Sequence, residues 1–339
     1  MFLSNAVVGH LRDVATWPDL AGGRYTGVRP LGSGGMGRVF AALDEPLGRE
    51  VAIKISHAPV LGSDLDARLR HEARVLAQLE HPGIVPVHDL GLLGDGRVFY
   101  VMKLVRGQTL AQGQPPATES AALSVFERVA DAVAFAHAHD VIHLDLKPSN
   151  VMVGAFGEVL VMDWGVAKVL APQFSSSASS VSSASSASSA SSASSASSPV
   201  PHVAGTPGFM APEQAAGKAV GPASDVYALG ALLFWLMRGA APPPDLTAVA
   251  SMLRQPPLRL PRRLRAIITM CLAANPADRY PDASAVVADL ARYRAGDAVH
   301  ALPETPVDRT IRFVARHATI IVLIGAYLLM RTMVAWLQR

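Results

Sequence analysis

The sequence predicts an α+β fold of two unequal lobes, a small β-rich one with one main helix and a larger helical one, followed by a C-terminal apolar helix. Three observations carry this. From Tyr25 to about Val105, short β-type runs alternate with Gly and Asp-Gly turns, and a single helical stretch lies between Asp64 and Leu79. From Thr118 onward, apolar residues recur at spacings of three and four, as in Leu123, Phe126, Val129, Val133 and Ala136. The third is the nearly uncharged stretch from Ala318 to Leu337. The organisation that follows is an N-terminal extension over residues 1–24, a folded unit over 25–294, a linker over 295–317 and a terminal helix over 318–337. Within the folded unit the small lobe covers 25–105 and the large lobe 106–294, with Arg106-Gly107-Gln108 a polar break at the seam, where pockets favour forming.

Half of the 339 residues are hydrophobic and 17% are charged, the balance of a chain with a substantial core. A formal net charge of +3, without basic runs interleaved with aromatics, argues against a nucleic-acid surface. Cys271 is the only cysteine, so an intrachain disulfide is excluded and a reducing setting fits the folded part. Neither nucleic acid nor a structural metal is expected as a partner. Residues Met1 to Leu20 lack a signal peptide's basic start and long apolar run.

Residues 175–198 form a Ser-Ser-Ala array without core-forming side chains, which reads as a disordered loop insert. It offers many hydroxyls for phosphorylation, yet composition alone accounts for it as a passive spacer. Arg262, Arg263 and Arg265 read as a solvated helix face. Ala318 to Leu337 has about the length needed to cross a bilayer. Arg331 interrupts it, at a cost of roughly 2.5–3.5 kcal/mol were it at the centre of a span, but it lies toward the end, where its side chain can snorkel outward. A single-pass anchor is the expectation, and an amphipathic helix lying on a membrane or on the protein is the alternative. Arg309, Arg312, Arg316 and His317 precede the helix and place the folded unit in the cytoplasm under the positive-inside rule.

Gly32-Ser33-Gly34-Gly35-Met36-Gly37-Arg38-Val39 sits between two β-type runs. Glycines at these spacings let a hairpin backbone approach phosphates where a Cβ would collide. A dinucleotide loop uses similar spacing but opens a helix, whereas Phe40, Ala41 and Leu43 here continue as a strand. In the next run, Val51, Ile53 and Ile55 face one side while Ala52 and Lys54 face the other. Lys54 by itself reads equally well as an exposed strand lysine. The following helix decides otherwise. Its apolar stripe of Leu65, Leu69, Leu76 and Leu79 is completed by Glu72, and a carboxylate in an apolar stripe needs a partner, for which Lys54 is the candidate.

The glycine loop, Val51-Ala52-Ile53-Lys54 and Glu72 together resemble the small lobe of the eukaryotic-type protein kinases. The large lobe matches in order. His143-Leu144-Asp145-Leu146-Lys147-Pro148-Ser149-Asn150 is similar to the catalytic loop of that family and Asp163-Trp164-Gly165 to its metal-binding tripeptide. Gly205-Thr206-Pro207 through Ala211-Pro212-Glu213 resembles the end of the activation segment, and Asp225 and Arg279 complete the set. The resemblance covers roughly Tyr25 to Tyr293 and is nearest the bacterial Ser/Thr kinases.

The resemblance implies a two-lobed kinase fold that transfers the ATP γ-phosphoryl group to Ser or Thr hydroxyls of proteins, itself included. Asp145 orients the acceptor hydroxyl, Lys147 places a charge near the γ-phosphate, and Lys54, held by Glu72, reaches the α- and β-phosphates. Asn150 and Asp163 hold Mg²⁺, with Mn²⁺ as the alternative. Leu31, Gly32, Ser33, Gly34, Gly35, Met36, Gly37 and Val39 cover the nucleotide. Ala52, Met102 and Met152 line the adenine slot, and the backbone from Lys103 to Val105 supplies hydrogen bonds. Lys147, with Thr206 before Pro207, is the Ser/Thr form of the family, and Glu213 pairs with Arg279 in a structural role.

Two departures matter. Leu144 stands where the family usually has the arginine that receives an activation-segment phosphate, so activity is expected not to depend on phosphorylation of that segment. Ala240 to Pro261 is short and Pro-rich where a longer substrate-side helix is usual, which leaves protein docking in doubt. A nucleotide-binding scaffold without transfer activity and a small-molecule kinase of related fold remain as competing readings.

Overall fold

The computed structural model describes residues 24–34, 37–57, 64–170, 208–255, 260–303 and 317–337. The expectations for the N-terminal extension before residue 24, for Gly35 and Met36, for the Ser-Ala array, for Thr206 and for most of the 295–317 linker therefore fall on residues outside those described.

Strands β1 (Tyr25–Gly34), β2 (Gly37–Asp44), β3 (Arg49–Ser56), β4 (Val87–Leu92) and β5 (Val98–Lys103) form one antiparallel sheet in the order β1-β2-β3-β5-β4. Its two faces follow from the period of two along each strand. Val51, Ile53 and Ile55 of β3 join Tyr25, Phe40, Ala42, Leu93 and Val101 in a small cluster on one face. Ala52 and Lys54 take the other face, and there helix α1 (Asp64–Gln78) packs through Leu69, Ala73, Val75 and Leu76. Glu72 is fully buried within that stripe.

The second lobe holds α2 (Glu119–Ala138), β7 (Val141–Ile142), β8 (Val151–Gly154), β9 (Val159–Val161), β10 (Lys168–Val169) and then helices. These are α3 (Pro212–Ala215), α4 (Pro222–Arg238), α5 (Leu246–Met252), α6 (Arg262–Cys271) and α7 (Ala283–Arg294). The strand β6 (Gly107–Thr109) pairs with β8, so the chain joins the second lobe directly after residue 105. Capping side chains set the helix starts. Thr118 accepts from the Ala121 N–H at α2, Asp245 from Thr247 and Ala248 at α5, and Asp282 from Ala285 at α7.

Helix α4 is the axis of this lobe, with Val226, Leu229, Ala231, Leu232, Leu233 and Phe234 all fully buried. It packs against α2, α6 and α7. Where α4 meets α6, a Cβ on Gly230 would lie 2.4 Å from the Cβ of Cys271, so glycine is what permits that approach. Past α7 the chain stays on the lobe, with Val299 buried and the His300 and Ala301 N–H groups donating to Asp289. Two of the three arginines expected on a solvated face, Arg263 and Arg265, are half-buried, and Arg263 donates to the Asp297 carbonyl. Among the described residues of the short, Pro-rich stretch from Ala240 to Pro261, the helix is the seven-residue α5.

The terminal helix α8 (Ala318–Leu337) is 20 residues long and its visible side chains are exposed. The expected membrane span is not supported by it, since among the described residues no helix is long and apolar enough to cross a membrane. Arg331 lies inside the helix, with apolar residues on both sides.

Replacing Gly230 with Ala is expected to destabilise the fold by about 1–3 kcal/mol through forced separation of α4 and α6, read as a lowered urea midpoint at unchanged m-value.

Candidate active site

Lys54 lies on β3 opposite Tyr100 of β5. Its ammonium donates to both oxygens of Glu72, at 2.7 and 2.8 Å, and to Asp163 Oδ1 at 3.1 Å. The sheet, α1 and the β9–β10 connection thus converge on one cation. Burial works against that charge, but the carboxylates of Glu72 and Asp163 outweigh it and hold the lysine pKa above its ordinary value. At Asp163 burial is likewise overcome, by Lys54 and then by His143 and Lys147, so its carboxyl stays below the usual range. The Asp163 side chain remains 46% exposed.

The loop after β7 brings a second cluster together. Asp145 accepts from Lys147 Nζ at 2.8 and 3.0 Å and from Asn150 Nδ2 at 3.0 Å, and the same amide donates to the Asp145 carbonyl at 2.8 Å. With its Nδ2 spent in this way, Asn150 leaves its carbonyl oxygen as the group for a ligand. His143 ties this loop to the Asp163 loop. Its Nδ1 accepts from the Asp145 N–H, which puts the proton on Nε2, where it donates to the Met162 carbonyl at 3.1 Å. The ring also packs on buried Trp164 with centroids 4.5 Å apart.

Leu144 has a φ of +65°, a left-handed conformation that costs a leucine about 1–2 kcal/mol. Buried Asp225, at the start of α4, offsets this by accepting from the His143 and Leu144 N–H groups at 2.7 and 2.8 Å. Gln214 donates to the Leu144 carbonyl at 2.7 Å. Position 144 therefore acts through its backbone.

Of the residues expected in an adenine slot, Ala52 and Met102 are cross-strand partners on β3 and β5. Ala52, Met102 and Val105 are buried in the main core cluster, and Val39 and Met152 pack against it. The Lys103 N–H is committed to the Pro86 carbonyl. On the glycine loop, a Cβ at Gly37 would strike the Ile55 carbonyl at 2.2 Å, so this glycine serves the strand packing. At Gly32 and Gly34 a Cβ would meet nothing within 4 Å among the described residues. Leu31 is 45% exposed beside them. Glu213 pairs with Arg279 through two bonds of 2.8 Å, and Ser224 donates to it at 2.7 Å. Burial pushes the Glu213 carboxyl up, but Arg279 and Ser224 win and hold it below its ordinary value.

The protein kinase domain family matches residues 25–289. The chain belongs to that family. As a kinase-family chain it is 35% identical over 292 residues to the serine/threonine-protein kinase PknA of Mycobacterium tuberculosis, covering 81% of this chain and 62% of that one. It is 32% identical over 283 residues to the serine/threonine-protein kinase PrkC of Bacillus subtilis, covering 79% and 40%. The chain thus spans less than two thirds of the length of these relatives. The crystal structure of the Mycobacterium tuberculosis PknI kinase domain superposes with a TM-score of 0.56 at 26% identity, covering 80% of this chain and 96% of that one. The resemblance to bacterial Ser/Thr kinases drawn from the motifs is borne out by these matches.

Tyr100 and Gln214 are site residues that the sequence reading missed. Tyr100 follows from strand alternation, since it shares with Met102 the face of β5 that Lys54 takes on β3. Gln214 has no local signal.

Arg279→Met is expected to cost about 3–5 kcal/mol at pH 7, because Glu213 is left without its cation. The stability held in the wild-type pair exists above the ordinary carboxyl pKa of about 4.3 and is lost as pH falls through the depressed folded value. The gap between variant and wild type, from urea titrations, should therefore narrow below about pH 4.

Proposed function

We propose that this chain is a Ser/Thr protein kinase that uses ATP with Mg²⁺. The observation that carries the reading is the convergence on Lys54 of Glu72 from α1 and Asp163 from the second lobe, beside the Asp145–Lys147–Asn150 cluster. Phosphoryl transfer asks a protein mainly for positioning and charge neutralisation, and this arrangement supplies fixed cations and carboxylates in register.

The donor set fits a hard divalent ion, since Asp163 offers carboxylate oxygens and Asn150 an amide oxygen while sulfur and imidazole are absent from that pair. Such an ion, when bound, neutralises phosphate charge. Lys54 holds the α- and β-phosphates. Asp145 accepts the proton of a Ser or Thr hydroxyl as that oxygen forms its bond to the γ-phosphorus. Lys147, now ion-paired with Asp145, steadies the equatorial oxygens as the bond to the β-phosphate oxygen breaks and ADP leaves. The open space at Gly32 and Gly34 suits a phosphate chain passing under β1 and β2.

We further propose that α8 holds the kinase at a membrane, with both lobes on the cytoplasmic side. Ile324, Leu328, Leu329 and Trp336 are exposed along it. The cations at Arg309, Arg312 and Arg316 lie just before it and suit an anionic cytoplasmic surface.

Transfer of labelled phosphate from ATP to a generic basic protein is expected from the purified chain with Mg²⁺ and is expected to fall at least about a hundredfold in Asp145→Asn. Alanine in place of every serine in 175–198 is expected to leave the rate unchanged. ATP raising the melting temperature without any transfer would instead mean a nucleotide-binding scaffold. For the anchor, the full chain should float with anionic vesicles, and Ile324→Asp with Leu328→Asp, one turn apart on α8, should leave it at the bottom of the gradient.

A further inference from the structure

The Tyr100 hydroxyl donates to Glu72 Oε1 at 2.9 Å inside the core, where Tyr100 is 1% and Glu72 0% exposed. Its ring also lies under the Lys54 ammonium, with the nitrogen 6.0 Å from the centroid. Glu72 thus receives three hydrogen bonds, two from Lys54 and one from Tyr100. The two donors differ in what they can do. Lys54 is shared with Asp163 and, under the function proposed above, with the phosphates of the nucleotide. Tyr100 has no second acceptor among the described hydrogen bonds, and its strand is fixed in the middle of the sheet between β3 and β4.

We propose that Tyr100 is a positioning residue, which holds Glu72 and with it α1 against the sheet whether or not Lys54 is drawn toward the nucleotide. A buried carboxylate that loses a donor bears the full desolvation cost of the missing bond, so without Tyr100 the alternative of swinging Glu72 out toward water gains ground. Retention of the catalytic arrangement is then built into β5. This inference rests on the kinase reading and adds to it a source of constitutive alignment.

The test is a double-mutant cycle on the full chain, followed by kcat and by KM for ATP. Tyr100→Phe keeps the ring and removes only the donor. It is expected to lower kcat about tenfold, the equivalent of about 1.4 kcal/mol, at the upper end of the range for an ordinary hydrogen bond. The unfolding midpoint serves as the check that the fold is intact. In a Glu72→Met background, where the acceptor is gone, adding Tyr100→Phe is expected to change the residual kcat less than twofold. Equal losses in both backgrounds show that Tyr100 acts through packing alone and overturn the proposal. A Tyr100→Phe enzyme with wild-type kcat does the same. Absence of transfer by the wild type would instead count against the kinase reading itself, so the two failures are distinct.

Discussion

The Lys54 ammonium joins parts of the chain that lie far apart in sequence. Glu72 comes from α1, Asp163 from the loop after β9, and Lys54 itself from β3, more than a hundred positions before that aspartate. A buried cation between two carboxylates is stable only while both stay in place, because an unpaired charge in the core is far costlier than a lost contact. Displacement of either element is therefore penalised electrostatically. This charge interaction adds to the hydrophobic cluster that already runs from the sheet and its helix into the second lobe.

The second lobe supplies the rigid counterpart. Asp225, buried at the head of the most buried helix, holds the backbone of His143 and Leu144, and so fixes where Asp145 points. The left-handed turn at Leu144 is strain of the kind that persists only where neighbours over-determine it, and here an aspartate and Gln214 do so. A side chain at 144 that cannot pair with phosphate leaves this clamp untouched, because the clamp acts on the main chain. Loss of the usual phosphate receiver and retention of the loop geometry are thus compatible.

Glu213 and Arg279 illustrate a different use of charge. Their pair is buried, bidentate and remote from Lys54, and it ties α3 to the turn before α7 while Arg279 also bonds the Ala223, Ala273 and Ala274 carbonyls. With so many backbone acceptors satisfied by one guanidinium, the pair holds loops together where no helix or strand does.

Much of this was legible in the sequence because it depends on periods and order. Alternation along β3 separated Ala52 and Lys54 from Val51, Ile53 and Ile55, and helical spacing placed Glu72 in an apolar stripe. Each of these is a statement about one element, which a run of residues determines by itself. What the chain alone left open concerns pairs of elements. Tyr100 reaches Glu72 only because β5 lies next to β3 in a given register. Asp225 reaches the catalytic loop only because α4 starts beneath it, and Arg263 is half-buried because the chain after α7 folds back across α6. Composition and spacing decided which groups exist and which side of their own element they take. The packing of strands and helices against one another decided which of those groups meet, since distance between residues far apart in the chain is a property of the tertiary fold.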